Sequence, residues 1–366
     1  MSRHMQIAIA AAIAMVAGGG IAAAGPLKEI ARIPVVLDIP LNGFDIGYVD
    51  LSTDTLYLTS SAHFFDPKVI HPGNNVLLAI DAKTNKLIAA IPGFKHPSGV
   101  VVTKPGKEAW VSDGDSTVKV VDLKARKVTD TISTGGKSRA DEVAYDPKDH
   151  VFAVANGDDD PPFLTLISTE PGHKIIAKVA VPEATDGLEQ TIYQPRDGMF
   201  YTVVPQLNKV KTKGGMLKTD PKTGKRVALY PVDNCIPHGN AIGLGPDLIL
   251  GCNEGNTRTK DGLTPQQAIF DTATDKVKAY IPGAGGSDMA AADDKLGQYY
   301  TASVGNPDPG PVLAVIDAKT AKIIQKIPTT GLAHSVAVDV NNHHVFVPSA
   351  GGTFGGCGCV IVYAPQ

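Results

Sequence analysis

Apolar residues in this chain come in short runs rather than at helical spacing, and the runs come in pairs. HSVAVD (334–339) and HVFVP (344–348) flank the turn residues Asn341 and Asn342. DEVAYD (141–146) and VFAVA (151–155) flank Pro147 and Asp149. Two such runs around a Gly, Pro, Asn or Asp turn predict a β-hairpin. The segment 235–252, CIPHGNAIGLGPDLILGC, reads the same way, with its turn at Gly245-Pro246-Asp247.

The hairpin recurs along the chain. DIGYVD (45–50) pairs with TLYLT (55–59), SGVVVT (98–103) with EAWVS (108–112), EQTIYQ (189–194) with MFYTV (199–203), and DMAAAD (288–293) with LGQYYTA (296–302). The leading residues are Asp45, Ser98, Asp141, Glu189, His238, Asp288 and His334, spaced by 53, 43, 48, 49, 50 and 46 residues. A period near 48 residues falls in the range of propeller blades.

Most repeats carry a second hairpin with a stereotyped turn: IDAKTNKL (80–87), VDLKARKV (121–128), DPKTGK (220–225), FDTATDKV (270–277) and IDAKTAKI (316–323). An Asp there accepts backbone N–H groups two residues on, and the later positions tolerate a tight turn. Four short strands per repeat, set radially, predict an all-β, seven-bladed β-propeller. After the seventh hairpin only 359–364 remains as a strand. Residues 31–38 are therefore expected to supply its outer neighbour. A last blade built from both termini closes the ring and removes open sheet edges.

Charge and composition narrow the function. With 34 basic and 37 acidic side chains, neither nucleic acid nor a membrane surface is the expected partner. The 38 glycines, 27 prolines and 19 % charged residues suit a turn-rich β protein. Arg3 and His4, the apolar run 7–16 and the small residues before Gly25 read as a secretory signal peptide cleaved after Ala24. Nothing later is long and apolar enough to span a bilayer, so residues 25–366 are expected as one periplasmic or secreted domain. In an oxidising compartment disulfides are expected, and four cysteines allow three pairings. Cys235 with Cys252 is the favoured pair, at one end of one hairpin. Cys357 and Cys359 would need a tight loop to join each other.

The VAVD (336–339) and VAYDP (143–147) hairpins, alternating with Asp-x-x-Thr-x-Lys turns, resemble the YVTN/YncE-type seven-bladed propellers of exported bacterial proteins. The resemblance covers nearly all of the mature chain. That group's usual His-Gly-Val-Ala-Val start survives here only as variants such as HGN (238–240) and HSV (334–336). It implies architecture and export but no single activity, since binders, lactonases, lyases and redox enzymes share the fold.

In a propeller the first strand of each blade lines the central channel, so the seven leading residues meet around one axis. Six of the seven are Asp, Glu or His, with His96 and Glu142 adjacent. Carboxylates crowded together repel unless protonated, hydrated or neutralised. A divalent metal ion resolves this, held by His238, His334, Asp288 and Asp45, with Glu189 and Asp141 moving protons. His96, Glu142, Asn156 and Asn253 are the expected substrate contacts. A polar, water-filled channel without metal is the competing reading. The functional expectation is a metal-dependent enzyme, a lactonase-like hydrolase or a lyase, acting on a small molecule. The alternative is a non-catalytic propeller that binds a ligand or a protein partner on the same face. An acidic loop, Asp158 to Asp160, offers calcium ligands, and a lysine-rich stretch across the fourth repeat offers an anion site, but solvated surface is the preferred reading of both.

Overall fold

The computed structural model describes residues 25–62, 71–253, 262–306 and 310–366. The signal-peptide reading of 1–24 lies outside the described residues. The strands form seven four-stranded antiparallel sheets. The first blade runs β2 (Phe44–Asp50), β3 (Thr55–Ser60), β4 (Val76–Asp81) and β5 (Lys86–Ile91), in chain order. Five more blades repeat this plan. Their inner strands are β6 (Pro97–Lys104), β10 (Val143–Asp146), β14 (Thr191–Gln194), β18 (Pro237–Ile242) and β22 (Ala290–Asp293). Among the described residues no helix is long and apolar enough to cross a membrane.

The seventh blade takes the order β1 (Leu27–Pro34), β28 (Cys359–Pro365), β27 (His344–Ser349), β26 (Ala337–Asp339). Both termini therefore close the ring. The N-terminal strand lies four residues earlier than the expected 31–38, with Leu27 opposite Pro365 and Pro34 opposite Cys359. The apolar run 33–37 favoured the later window. Pro34 has no N–H to continue a ladder, and beyond it Val36 turns outward, 72 % exposed.

Burial explains the sequence pattern. β3 is buried at every position, whereas β5 alternates exposed with half-buried. Middle strands have both sheet faces covered by neighbouring blades and so read as continuous apolar runs. Outer strands have one wet face and alternate. The stereotyped turn does what its Asp predicts. Asp81 Oδ1 accepts from the N–H of Lys83 at 2.9 Å and of Thr84 at 2.8 Å. Asp122 does the same for Lys124 and Ala125. The residue four places after each turn Asp is left-handed: Asn85, Arg126, Gly224, Asp275 and Ala321 have φ between 52° and 63°.

Side chains at the first turn of several blades stitch them to their neighbours. Asp50 accepts from Gly106 N–H of the second blade at 2.7 Å, and His343 Nδ1 meets Asp293 of the sixth at 2.7 Å. Asn341 donates to Leu51 O at 2.9 Å, tying the seventh blade to the first.

Cys235 and Cys252 are bridged, as expected. Cys357 and Cys359 are also bridged to each other, against the expectation that so short a loop disfavours it. The reason is Gly358. Its φ of +61° folds the chain back and brings the two Cα atoms to 5.2 Å, within normal disulfide reach. A side chain could not replace it, because a Cβ there would sit 2.7 Å from that of Pro40.

Candidate functional site

The upper mouth of the channel collects most of the predicted residues. Backbone bonds between blades set their places. Gln190 N–H donates to His238 O at 3.2 Å, Gly239 N–H to Ser287 O at 3.1 Å, and Met289 N–H to His334 O at 3.1 Å. Blades four to seven are thus registered to one another at the residues flanking or carrying the imidazoles and carboxylates.

Two groups of possible metal ligands result. Asp45, Asp288 and His334 form one, Glu189, His238 and Asp288 the other, and within each the ligand atoms lie within 4.8 Å of one another. Asp288 belongs to both. His238 Nδ1 stands 3.6 Å from Glu189 Oε1 and 3.9 Å from Asp288 Oδ1. His334 Nε2 stands 3.9 Å from Asp288 Oδ2.

The His334 ring is fixed on two sides. It stacks on Phe44 at 4.7 Å between centroids, and its Nδ1 lies 2.6 Å from Leu332 O. A carbonyl only accepts, so Nδ1 carries a proton, and Nε2 is the ring nitrogen left facing Asp288. This is how metal-binding imidazoles are usually oriented.

Electrostatics at the mouth are dominated by burial. It pushes the Asp45 carboxyl well above the usual range, helped by the charges of Asp141 and Asp288. Glu142 is raised well above normal by burial and by Asp141. Glu189 is raised by burial, opposed by His238. Asp141 is raised less, because Arg139 opposes its burial. Arg139 pairs with Asp141 and, at 3.1 Å, with Asp158. Asp45 Oδ2 and Glu142 Oε2 are buried with no hydrogen-bond partner.

A cavity of about 670 Å³ opens beside Asp141, Glu189 and His238, walled by 157–162 and 182–189 and edged by Lys209. Lower in the channel the lining turns apolar. A second cavity of about 470 Å³ is bounded by Ile46, Val100, Val143, Ile192, Ile242 and Met289. The channel is therefore polar at one end and greasy at the other.

The remaining predicted contacts sit elsewhere. His96 lies outside both ligand groups, its backbone N–H held by Asp113 at 2.6 Å. Asn156 is fully buried, donating to Thr134 Oγ1 at 2.9 Å and accepting from Thr165 Oγ1 at 3.1 Å. Asn253 accepts from Ile236 N–H at 2.9 Å and donates to Thr264 O at 2.7 Å, with φ +60°. These two amides are spent on the fold. Asp159 binds the backbone N–H of Lys137 at 2.9 Å. Within the lysine-rich stretch, Lys218 pairs with Asp197 and Asp275, and Arg226 with Glu183.

Sequence reasoning missed Arg139 and the cavity wall. Arg139 stands two residues before a leading position, and the repeat gives no reason to inspect that place. A basic residue beside a predicted carboxylate ring was the available signal.

No protein-family model matches the chain, and no curated protein does. Among solved structures, it is similar to a chain titled Kuenenia stuttgartiensis Hydrazine Synthase, at 16 % identity and TM-score 0.70, covering 90 % of this chain and 96 % of that one. It is also similar to a chain of a structure titled Crystal Structure of Mitotic Checkpoint Complex, at 10 % identity and TM-score 0.66, covering 99 % and 98 %. At such identities the likeness is one of fold, and that fold is the seven-bladed β-propeller.

Proposed function

We propose that this is an exported, metal-dependent enzyme of the YVTN/YncE-like propellers, a lactonase-like hydrolase or a lyase acting on a small molecule at the upper mouth. One observation carries the reading: two His/carboxylate groups converge on Asp288 beside a 670 Å³ cavity that reaches Glu189, His238 and Asp141. Two imidazoles with carboxylates are a donor set for zinc or a divalent transition metal. The orphaned, buried Asp45 oxygen fits the same role, since a buried acceptor with nothing to accept from is costly. Asp288, His334 and Asp45 would hold an ion, with His238 facing the other oxygen of Asp288. When bound it supplies Lewis acidity to a carbonyl or water oxygen.

The chain's own groups do the rest. Glu189, raised by burial and set 3.6 Å from His238, is the carboxyl placed to move a proton when a single ion is bound beside Asp45 and His334. Asp141 is tied to Arg139, so its role is to hold that guanidinium against two carboxylates that line the cavity, Asp141 and Asp158. Export agrees with two disulfides.

Arg139 also favours a second reading. By spanning Asp141 and Asp158 it already neutralises part of the mouth, as a non-catalytic ligand- or protein-binding propeller would require. Elemental analysis of protein purified without chelator, with a lactone panel followed by pH indicator, separates the two. Stoichiometric metal and turnover, both lost in a His238→Ala/His334→Ala double variant, are expected. Metal-free protein that ignores EDTA and turns over no lactone overturns the enzyme in favour of the binder.

A further inference from the structure

We infer that the channel mouth binds two divalent cations bridged by Asp288, an inference that rests on the metal-dependent reading above. The two ligand groups share Asp288 alone, and its two oxygens serve different histidines. Oδ1 faces His238 Nδ1 and Oδ2 faces His334 Nε2, each at 3.9 Å. Donors to one ion lie within about 4 Å of each other, twice a metal–nitrogen bond. An ion seated among Glu189, His238 and Asp288 uses the first oxygen. One seated among Asp45, His334 and Asp288 uses the second.

Two further observations support a pair. The Leu332 carbonyl holds His334 Nδ1 and so turns Nε2 toward Asp288. Asp45, 3 % exposed, keeps an oxygen without a hydrogen-bond partner inside the same group.

Mn²⁺ serves as the probe. Elemental analysis after loading the full mature chain, with electron paramagnetic resonance of the bound ions, reads both number and coupling. Two ions per chain with an exchange-broadened signal are expected. His334→Gln and His238→Gln should each leave one ion with an isolated six-line signal, and Asp288→Asn should abolish the coupling. Asp45→Asn, which keeps the shape of the side chain, should weaken one site selectively if His334→Gln fails to fold. One ion per chain, lost alike in both histidine variants, overturns the pair while leaving the metal-dependent reading intact. No bound Mn²⁺, zinc or other divalent ion overturns both.

Discussion

The carboxamide of Gln325 grips both backbone polar groups of Leu27: Leu27 N–H donates to Oε1 at 2.8 Å, and Nε2 donates to Leu27 O at 2.9 Å. Gln325 lies on the outer strand of the sixth blade, Lys322–Pro328, and Leu27 begins the strand that completes the seventh. One side chain thus anchors the chain's first strand to a neighbour 298 residues away. Gln325→Ala should lower stability by about 1–3 kcal/mol, read by urea titration. Deleting Leu27–Pro34 goes further, because it strips β28 of its partner and leaves an open edge. Size-exclusion chromatography should then show aggregate in place of monomer; an unchanged monomer peak would refute the closure.

The two disulfides should differ in value. The Cys235–Cys252 bridge spans 17 positions, and its removal by double alanine substitution should cost about 3 kcal/mol in the chain-entropy model. The Cys357–Cys359 bridge spans 2 positions and restricts the unfolded chain far less. Melting of the two double variants, side by side, decides the ranking.

Gly224 is the one glycine among the five matching left-handed turn positions, with φ +63°. A Cβ there would collide with Ala177 of the preceding blade. Gly224→Ala should therefore destabilise by more than the ~1–2 kcal/mol cost of a left-handed residue alone. Ala321→Gly, at the matching turn of the sixth blade, should do the reverse or nothing. Equal effects in thermal melts would mean that the Ala177 contact relaxes freely.

Glu142 predicts a pH dependence for the metal-free protein. Its folded value is raised by burial and by Asp141, so the native state holds the proton more tightly than the unfolded chain. The stability this contributes is complete below the unfolded value of about 4.3 and is lost as pH rises through the folded value. Wild-type protein in EDTA should melt at progressively lower temperature from weakly acidic to alkaline pH. Glu142→Gln should flatten that slope. Parallel slopes for the two proteins would show that Glu142 ionises without cost.

Much of this was legible in the chain itself. The pairing of apolar runs around Asn341-Asn342 or Pro147-Lys148-Asp149, and the return of Asp81-type turns, are local chemistry, dictated by which residues tolerate a turn. Repetition of local units is enough to specify a propeller and even its closure by both ends. The leading residues follow from the same register, so Asp45, Asp141, Glu189, His238, Asp288 and His334 could be named as neighbours before any coordinates. What lies between repeats follows no period. The orientation of the His334 ring depends on the carbonyl of Leu332, where the chain bends at φ +52°, and on the Phe44 ring from another blade. Arg139 reaches Asp158 only because a loop of its own blade folds over the mouth. Asn156 and Asn253 look like ligand contacts by position, yet their amides are consumed by backbone and threonine partners that only the packed loops supply. Hairpins are written by neighbours in sequence, whereas the direction of a buried side chain is decided by whichever distant group offers it a hydrogen bond.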